Sequence, residues 1–445
     1  MAKHINVRVH NKKTLELKLE YIPKGQPDKS DYVIDLYLSL PENMGINESS
    51  YEKKYFYNDL FRSIRLKSPD YMLNHYYERL KHFDEACSEG IHDWQCVYAF
   101  KKFITGYRSM LRNSAAALGK TSIQADIDFL LENVHKNRNI FRKLHREFRD
   151  ENEMFALADE FTSIVTNMYL VRLYERTGEN KALMDTIKGE IKYRKKHFPE
   201  SVPGNDERNS MLIDRYDYLK GYFYNVLSLR AKRKVGDKAM KSILYATAAG
   251  ISMIVATVIA FWAQLKYGNF TLPFFVALVV GYMFKDRIKD GFKSLLEKIA
   301  APVIYDYVTL IYESRGKHAM GKTWERAEFV NNSHVPAELS SKTNRKVIHF
   351  NKKVHIENAK IKELLDPEIH GITDLMRLNI KRFTSGLEEP LPLMYSVREG
   401  ELEKTLAEKT YKVELFLRVS ASGDAEELKG ELTLTCKGIK NFRIL

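Results

Sequence analysis

The chain has 445 residues, with 71 Lys and Arg against 58 Asp and Glu, for a formal net charge of +13. Its three cysteines, Cys87, Cys96 and Cys436, have neither metal-ligand nor redox spacing, which argues against a disulfide framework and fits a reducing compartment. The opening MAKHINVRVH has no apolar core, so it reads as a strand and excludes a signal peptide.

Residues 1–48 alternate with period two. Ile5, Val7 and Val9 share one face, Leu15, Leu17 and Leu19 follow the Asn11-Lys12-Lys13 turn, and Ile34, Leu36, Leu38 and Leu40 follow a Pro/Gly loop. This predicts a small antiparallel sheet that needs the next helices, or C-terminal strands, to cover it. Residues 49–241 turn helical. Ser68, Pro69 and Asp70 supply a cap, a first-turn proline and an acid that start one helix. Segments 94–118, 122–135 and 151–176 carry apolar residues at three- and four-residue steps, with Phe161, Ile164, Val165, Met168 and Val171 the clearest stripe. Residues 197–206 read as a loop, and a last helix over 207–233 leads to Gly236, a break.

Residues 242–284 read as a transmembrane helical hairpin. The first run, 243–265, has no charged side chain and makes about 34 Å of helix, against a hydrocarbon core of roughly 30 Å. After a polar link comes the shorter second run, 268–284, with Thr271 as cap and Pro273 in its first turn. Arg230, Lys232, Arg233, Lys234, Lys238 and Lys241 precede the hairpin, and Lys285, Arg287, Lys289 and Lys293 follow it, whereas the link carries only Lys266. That asymmetry predicts both termini on the cytoplasmic side, in the inner membrane if the source is bacterial, with these bases touching anionic headgroups. Trp262, Tyr267 and Phe270 suit the far interface. Ala246 with Gly250, and Ala277 with Gly281, make small-xxx-small pairs expected to pack the two helices, and a homo-oligomer through the same face is the rival. Neither span holds an Asp, Glu, Lys, Arg or His, so a transporter or channel is disfavoured.

Residues 285–301 form an amphipathic juxtamembrane helix with Ile288, Phe292, Leu295, Leu296 and Ile299 on one face. Residues 302–445 return to strands at 307–312, 346–350, 353–357, 375–383, 411–420, 428–437 and 440–445, an antiparallel β-rich domain, sandwich or barrel undetermined. The expected fold class is thus an α+β membrane protein: small sheet, helical domain, membrane hairpin, β-rich domain.

Catalytic signatures are sparse. Gly316, Gly321, Lys322 and Thr323 fit G-x-x-x-x-G-K-[ST], and over these eight positions the chain resembles the Walker A loop of the P-loop NTPases. The resemblance implies Lys322 on nucleotide phosphates and Thr323 on magnesium. Against it, the loop lacks internal glycines, no long helix or later strand-end Asp follows, and the rest looks antiparallel. A β-hairpin with a basic loop explains the same residues. His75 with His82, and His349 with His355 near Glu357, make no metal signature, and the carboxylate pairs Asp84-Glu85, Asp126/Asp128 and Glu388-Glu389 lack a partner. Aromatic and basic residues interleave at Tyr51, Lys53, Lys54, Tyr55, Phe56 and Tyr57, and again at Arg138, Phe141, Arg142, Lys143, Arg146, Phe148 and Arg149. That pattern permits single-stranded nucleic acid, but at helical spacing it more often separates core from solvent. The residues therefore favour a two-pass membrane-anchored adaptor or scaffold with no cofactor, holding an unidentified protein partner. A membrane-associated enzyme and a membrane-tethered nucleic-acid binder are the alternatives.

Overall fold

The computed structural model describes residues 2–23, 27–68, 90–119, 124–148, 151–178, 180–236, 238–268, 271–300, 304–330, 335–336, 339, 344–364, 371–389, 391–398, 400–421 and 424–445. The helix start at 68–70, His75, His82, Asp84-Glu85 and Cys87 fall wholly or partly outside them. The chain is a mixed α+β protein with antiparallel sheets at both ends and helices between.

Strands β1 (Ala2–Asn11) and β2 (Thr14–Ile22) form the expected hairpin, and Leu15, Leu17, Leu19 and Tyr21 enter the core. Strand β3 (Lys29–Pro41) departs from expectation. It does not join that hairpin but lies in the middle of an eight-stranded sheet, between strands from the far end of the chain. The order there is β14 (Gly438–Ile444), β13 (Asp424–Thr435), β12 (Tyr411–Ala421), β3, β8 (Arg345–Glu357), β7 (Ala319–Val330), β6 (Tyr307–Tyr312) and β5 (Arg230–Val235). The hairpin instead pairs with β9 (Ile372–Asn379), whose other edge takes β4 (Leu60–Leu66). Both sheets contribute to one core, so the two ends of the chain fold together as a sandwich. Alternation shows that a strand has a buried face but not which strands flank it, so nothing local separates β3 from its sequence neighbours.

Two other strands lie where helix was expected. Leu60, Arg62, Ile64 and Leu66 alternate toward the interior from β4, a short run that periodicity cannot separate from a helix edge. Residues 230–235 are β5 rather than the end of a helix, paired with β6 along their length. In the last third, 346–350 and 353–357 merge into the single strand β8, and 375–383 divides into β9 and the helical turn Lys381–Thr384. A separate hairpin, β10 (Leu391–Arg398) with β11 (Glu401–Ala407), was not foreseen.

Between the sheets sit two buried ion pairs, Arg62–Glu325 and Lys352–Asp374, each at 2.6 Å. Glu325 stands directly across from Lys352 in the β7–β8 register, so charges of alternating sign stitch β4, β7, β8 and β9. Tyr32 donates to Asp374 at 3.3 Å, and Tyr21 stacks on Tyr32 at 4.8 Å. Such pairs add little net stability over apolar packing, but a single unpartnered member would be costly. They also penalise any sheet register that separates them.

The helical body has its own core. After the short α1 (Lys53–Asp59), α2 (Trp94–Ala117), α3 (Gln124–Glu147), α4 (Glu153–Thr177), α5 (Lys181–His197) and α6 (Asp206–Tyr224) pack about α4. Side chains of Asp93, Asn152, Asn180 and Asn205 accept from first-turn amides of α2, α4, α5 and α6, each satisfying an otherwise orphan N–H. Of the foreseen stripe, Phe161 and Val165 are buried, whereas Val171 reaches the surface. Cys96 is buried and disulfide-bonded, and Cys436 is a free thiol. The expectation of unpaired thiols is therefore corrected at Cys96.

Candidate functional site

The chain leaves the eight-stranded sheet at the end of β5 and re-enters it at β6. Helices α7 (Lys238–Tyr267) and α8 (Leu272–Ala300) are thus inserted into the tip of a β-hairpin. At this root Val235 pairs with Tyr307, and the Gly236 amide donates to the Asp306 carbonyl at 2.9 Å. A Cβ on Gly236 would lie 2.4 Å from the Tyr305 carbonyl oxygen, so only glycine fits. Asp306 is the clamp. Its carboxylate accepts from Lys53 at 3.1 Å, from the Tyr57 hydroxyl at 2.9 Å and from the Ala327 amide at 2.9 Å. Burial and the neighbouring Asp306 charge push the Tyr57 phenol far above its ordinary value, keeping it a donor. The Tyr57 ring meets Tyr307 edge-on at 4.6 Å, and the Arg233 guanidinium lies 5.2 Å from the same Tyr307 ring. The root is therefore tied to α1, β5, β6 and β7 at once.

The two helices pack antiparallel. Gly281 faces Ile259, and the Lys293 ammonium sits 4.4 Å from the Tyr245 ring. On α7 the seam is built by Ala248, Ser252, Val255, Ile259 and Ala263, three of them fully buried. Of the expected small pairs, Gly281 lies in this seam. Ala246 and Gly250 do not: both are exposed, and nothing comes within 4 Å of a Cβ placed on Gly250. At 100° per residue the Ala248/Ser252 row points some 160° away from Gly250, and Ser252 rather than Gly250 takes the close approach. Ala277 is half-buried and lines a groove with Trp262, Tyr267 and Pro273.

Outside the seam the pair is bare. Ile243, Met253, Ile254, Val258, Phe261, Leu272, Phe275, Tyr282 and Met283 all point outward, and Leu265 is 89% exposed. The hydroxyls of Thr247, Ser252 and Thr257 bond to carbonyls of their own helix, so this apolar length presents no unmet side-chain donor from them. Among the described residues one helix, Met240–Tyr267, is long and apolar enough to cross a membrane, and 11% of its most apolar stretch is buried. Helix α8 falls short because charge begins at Lys285. Gly268, at φ +70°, ends α7, and Thr271 accepts from the Phe274 amide to start α8 as expected.

The basic residues surround this unit. Arg230, Lys232, Arg233 and Lys234 lie along β5, an exposed edge strand whose charges also oppose pairing with another sheet. Lys238 and Lys241 belong to the first turns of α7, and Lys285, Arg287, Lys289 and Lys293 to α8. Residues 285–300 are not a separate juxtamembrane helix but the continuation of α8. Ile288, Phe292 and Leu296 lean on α7, while Leu295 and Ile299 are exposed. Part of the apolar stripe is thus covered and part remains open.

The Walker-like residues are not a phosphate loop. Gly316 sits in the β6–β7 turn, and Gly321, Lys322 and Thr323 are ladder positions of β7 between β6 and β8. A Cβ on Gly321 would meet the His355 carbonyl oxygen at 2.2 Å, so this glycine serves strand packing. Ladder amides are already committed and cannot converge on phosphates, and strand rather than helix follows. His349 pairs with Asp35 at 2.8 Å and His355 with Asp31 at 2.7 Å, both across the β3–β8 interface. Asp128 accepts from Gln124, Asp126 sits in the first turn of α3, and Glu388 pairs with Lys409 while Glu389 is exposed. Tyr51, Phe56, Tyr57 and Phe141 are buried, which removes them as stacking platforms. Among the described residues no group of three or more His, Cys, Asp and Glu side chains converges as a metal set.

Sequence reasoning missed a polar network inside the helical body. Arg138, fully buried, reaches Asp159 at 2.6 Å, Thr162 at 2.6 Å and Glu190 at 3.1 Å. Arg142 takes the other Glu190 oxygen at 2.6 Å, while His145 and Tyr193 take the second Asp159 oxygen at 3.0 and 2.6 Å. Burial alone would raise the Asp159 carboxyl, but His145, Arg138 and Tyr193 outweigh it and hold it below the usual range. Nearby, burial lowers Arg194 to about 10. Every carboxylate here is saturated by donors, so the network fixes α3, α4 and α5 rather than offering a free base. No local signal marks it, because its partners come from three helices. Searches of protein-family models, of curated proteins and of solved structures found no match for this chain.

Proposed function

We propose that this protein is a membrane-anchored adaptor: α7 and α8 enter a bilayer as a hairpin, and the β sandwich and helical body stay together on the side they enter from. One observation carries the reading, the belt of outward apolar side chains on a helix pair that is rooted at both ends in adjacent strands. In water that surface would be costly, at roughly 25 cal/mol for each Å² left exposed. In lipid the part of it from Val255 to the tip needs no further partner. A hairpin of this kind returns the chain to its starting side, and the bases of β5 and α8 favour an anionic surface there. Away from the hairpin, exposed apolar residues gather on α6 (Met211, Ile213, Tyr218) and on β10–β11 (Tyr395, Val397, Leu402), and these are the surfaces for a protein partner.

The test is fractionation of lysed cells expressing the full chain. Sedimentation with membranes, release by detergent and resistance to high salt are expected. Recovery in the supernatant without detergent ends the reading.

A further inference from the structure

We infer that the α7–α8 hairpin is built for a thin bilayer, with a hydrocarbon core nearer 20 Å than the usual 30 Å or so. The inference rests on the membrane reading above and adds the kind of bilayer. The levels of the two helices follow from their contacts. Ile259 lies against Gly281, and Tyr245 beneath Lys293, so Lys285 stands at the level of Val255. The charges of α8 therefore begin beside the middle of the α7 apolar run, not at its end. Asp286, Arg287, Lys289 and Asp290 follow at once and are all exposed. Lysine can snorkel several ångströms to a headgroup, but an aspartate side chain is too short to do so. The near boundary of the hydrocarbon thus falls close to Lys285.

The far boundary is marked by the tip. Lys266 lies 4.9 Å from the Trp262 ring and 5.6 Å from the Tyr267 ring, a cation among amphipathic aromatics of the sort found at lipid–water interfaces. The tip also holds the end of α7 and the start of α8, where backbone groups lack intrahelical partners and need water. A dip that stopped in mid-bilayer would bury all of these. Between the tip and Lys285, α8 rises about 20 Å at 1.5 Å per residue. The opposing stretch of α7 runs from Val255 to Gly268, and the first three turns of the α7 apolar run, before Val255, lie beyond the boundary, beside charged α8.

The experiment reconstitutes the full-length protein with vesicles of dimyristoleoyl, dioleoyl or dierucoyl phosphatidylcholine, each with the same fraction of anionic lipid, and measures partitioning. The expected order is shortest chain first, with about a tenfold or larger fall from dimyristoleoyl to dierucoyl vesicles. A variant carrying Asp286→Leu, Arg287→Leu and Asp290→Leu lengthens the apolar band of α8 and should move the preference toward the longer chains. Equal partitioning into all three, preference for dierucoyl lipid, or an unmoved preference in the variant overturns the thickness match while leaving the anchor intact. No partitioning into any vesicle overturns the anchor, and the inference with it.

Discussion

Helices α4 and α7 are both long and largely apolar, yet they solve opposite problems. α4 is enclosed by protein on nearly every side, and it carries Asp159, Glu160, Thr162, Ser163 and Thr166 in its buried surface. α7 turns most of its apolar run outward, and no Asp, Glu, Lys, Arg or His interrupts that run. On the proposed anchor reading, the contrast follows from what would surround each helix. A protein interior can bring an arginine or hydroxyl to each buried charge, whereas lipid offers no partner at all. Charged side chains are thus tolerated in α4 and absent from the apolar run of α7, whose hydroxyls bond back to their own helix.

The largest effect should come from breaking the α4 arrangement. Arg138→Met leaves Asp159 and Glu190 without their shared cation, and a loss of about 3–5 kcal/mol is expected in denaturant unfolding. Membrane partitioning of the folded fraction should not change. The complementary break is Phe261→Asp, midway between Val255 and the tip on the bare face of α7. A charge there costs about 3 kcal/mol in hydrocarbon, so partitioning should fall roughly a hundredfold, with denaturant unfolding of the helical body in mild detergent shifted by under about 0.5 kcal/mol. Unaltered partitioning would show that this face never meets lipid.

Smaller changes sharpen the seam. Gly281→Leu drives a side chain into Ile259 and should cost about 1–3 kcal/mol of hairpin stability, read by thermal unfolding in detergent. Gly250→Leu faces outward and should be neutral within about 0.5 kcal/mol. Equal losses at the two positions would mean that a second copy packs on Gly250. The smallest effect is set by pH. Because the folded Asp159 carboxyl is depressed, its contribution is fully present above an unfolded value of about 3.9 and is lost as pH falls through the folded one. Below about pH 4 the helical body should weaken by circular dichroism before the hairpin does.

Much of this architecture was legible in the residues. The uncharged run of α7, the Thr271 cap, the Gly236 break and the β6–β7 hairpin all rest on neighbours within a few positions, where length, periodicity and turn chemistry act. The seam was not legible. Ala246/Gly250 and Ala248/Ser252 are both small rows on one helix, and only the approach of α8 selects the second. The Arg138 network was equally hidden, since Asp159 and Glu190 come from other helices and an arginine in α3 looks like any exposed base.

Local pattern alone determined that one stretch of this chain is long and apolar enough to cross a membrane and that both ends are strand-forming, because hydrophobic length and alternation are properties of consecutive residues. Only the tertiary structure decided that β3 sits among strands from the far end of the chain, that β5 and β6 root the helix pair, and that Lys285 lies beside the middle of α7. Those facts depend on which surfaces meet, and the contacts that settle them join residues far apart in the sequence.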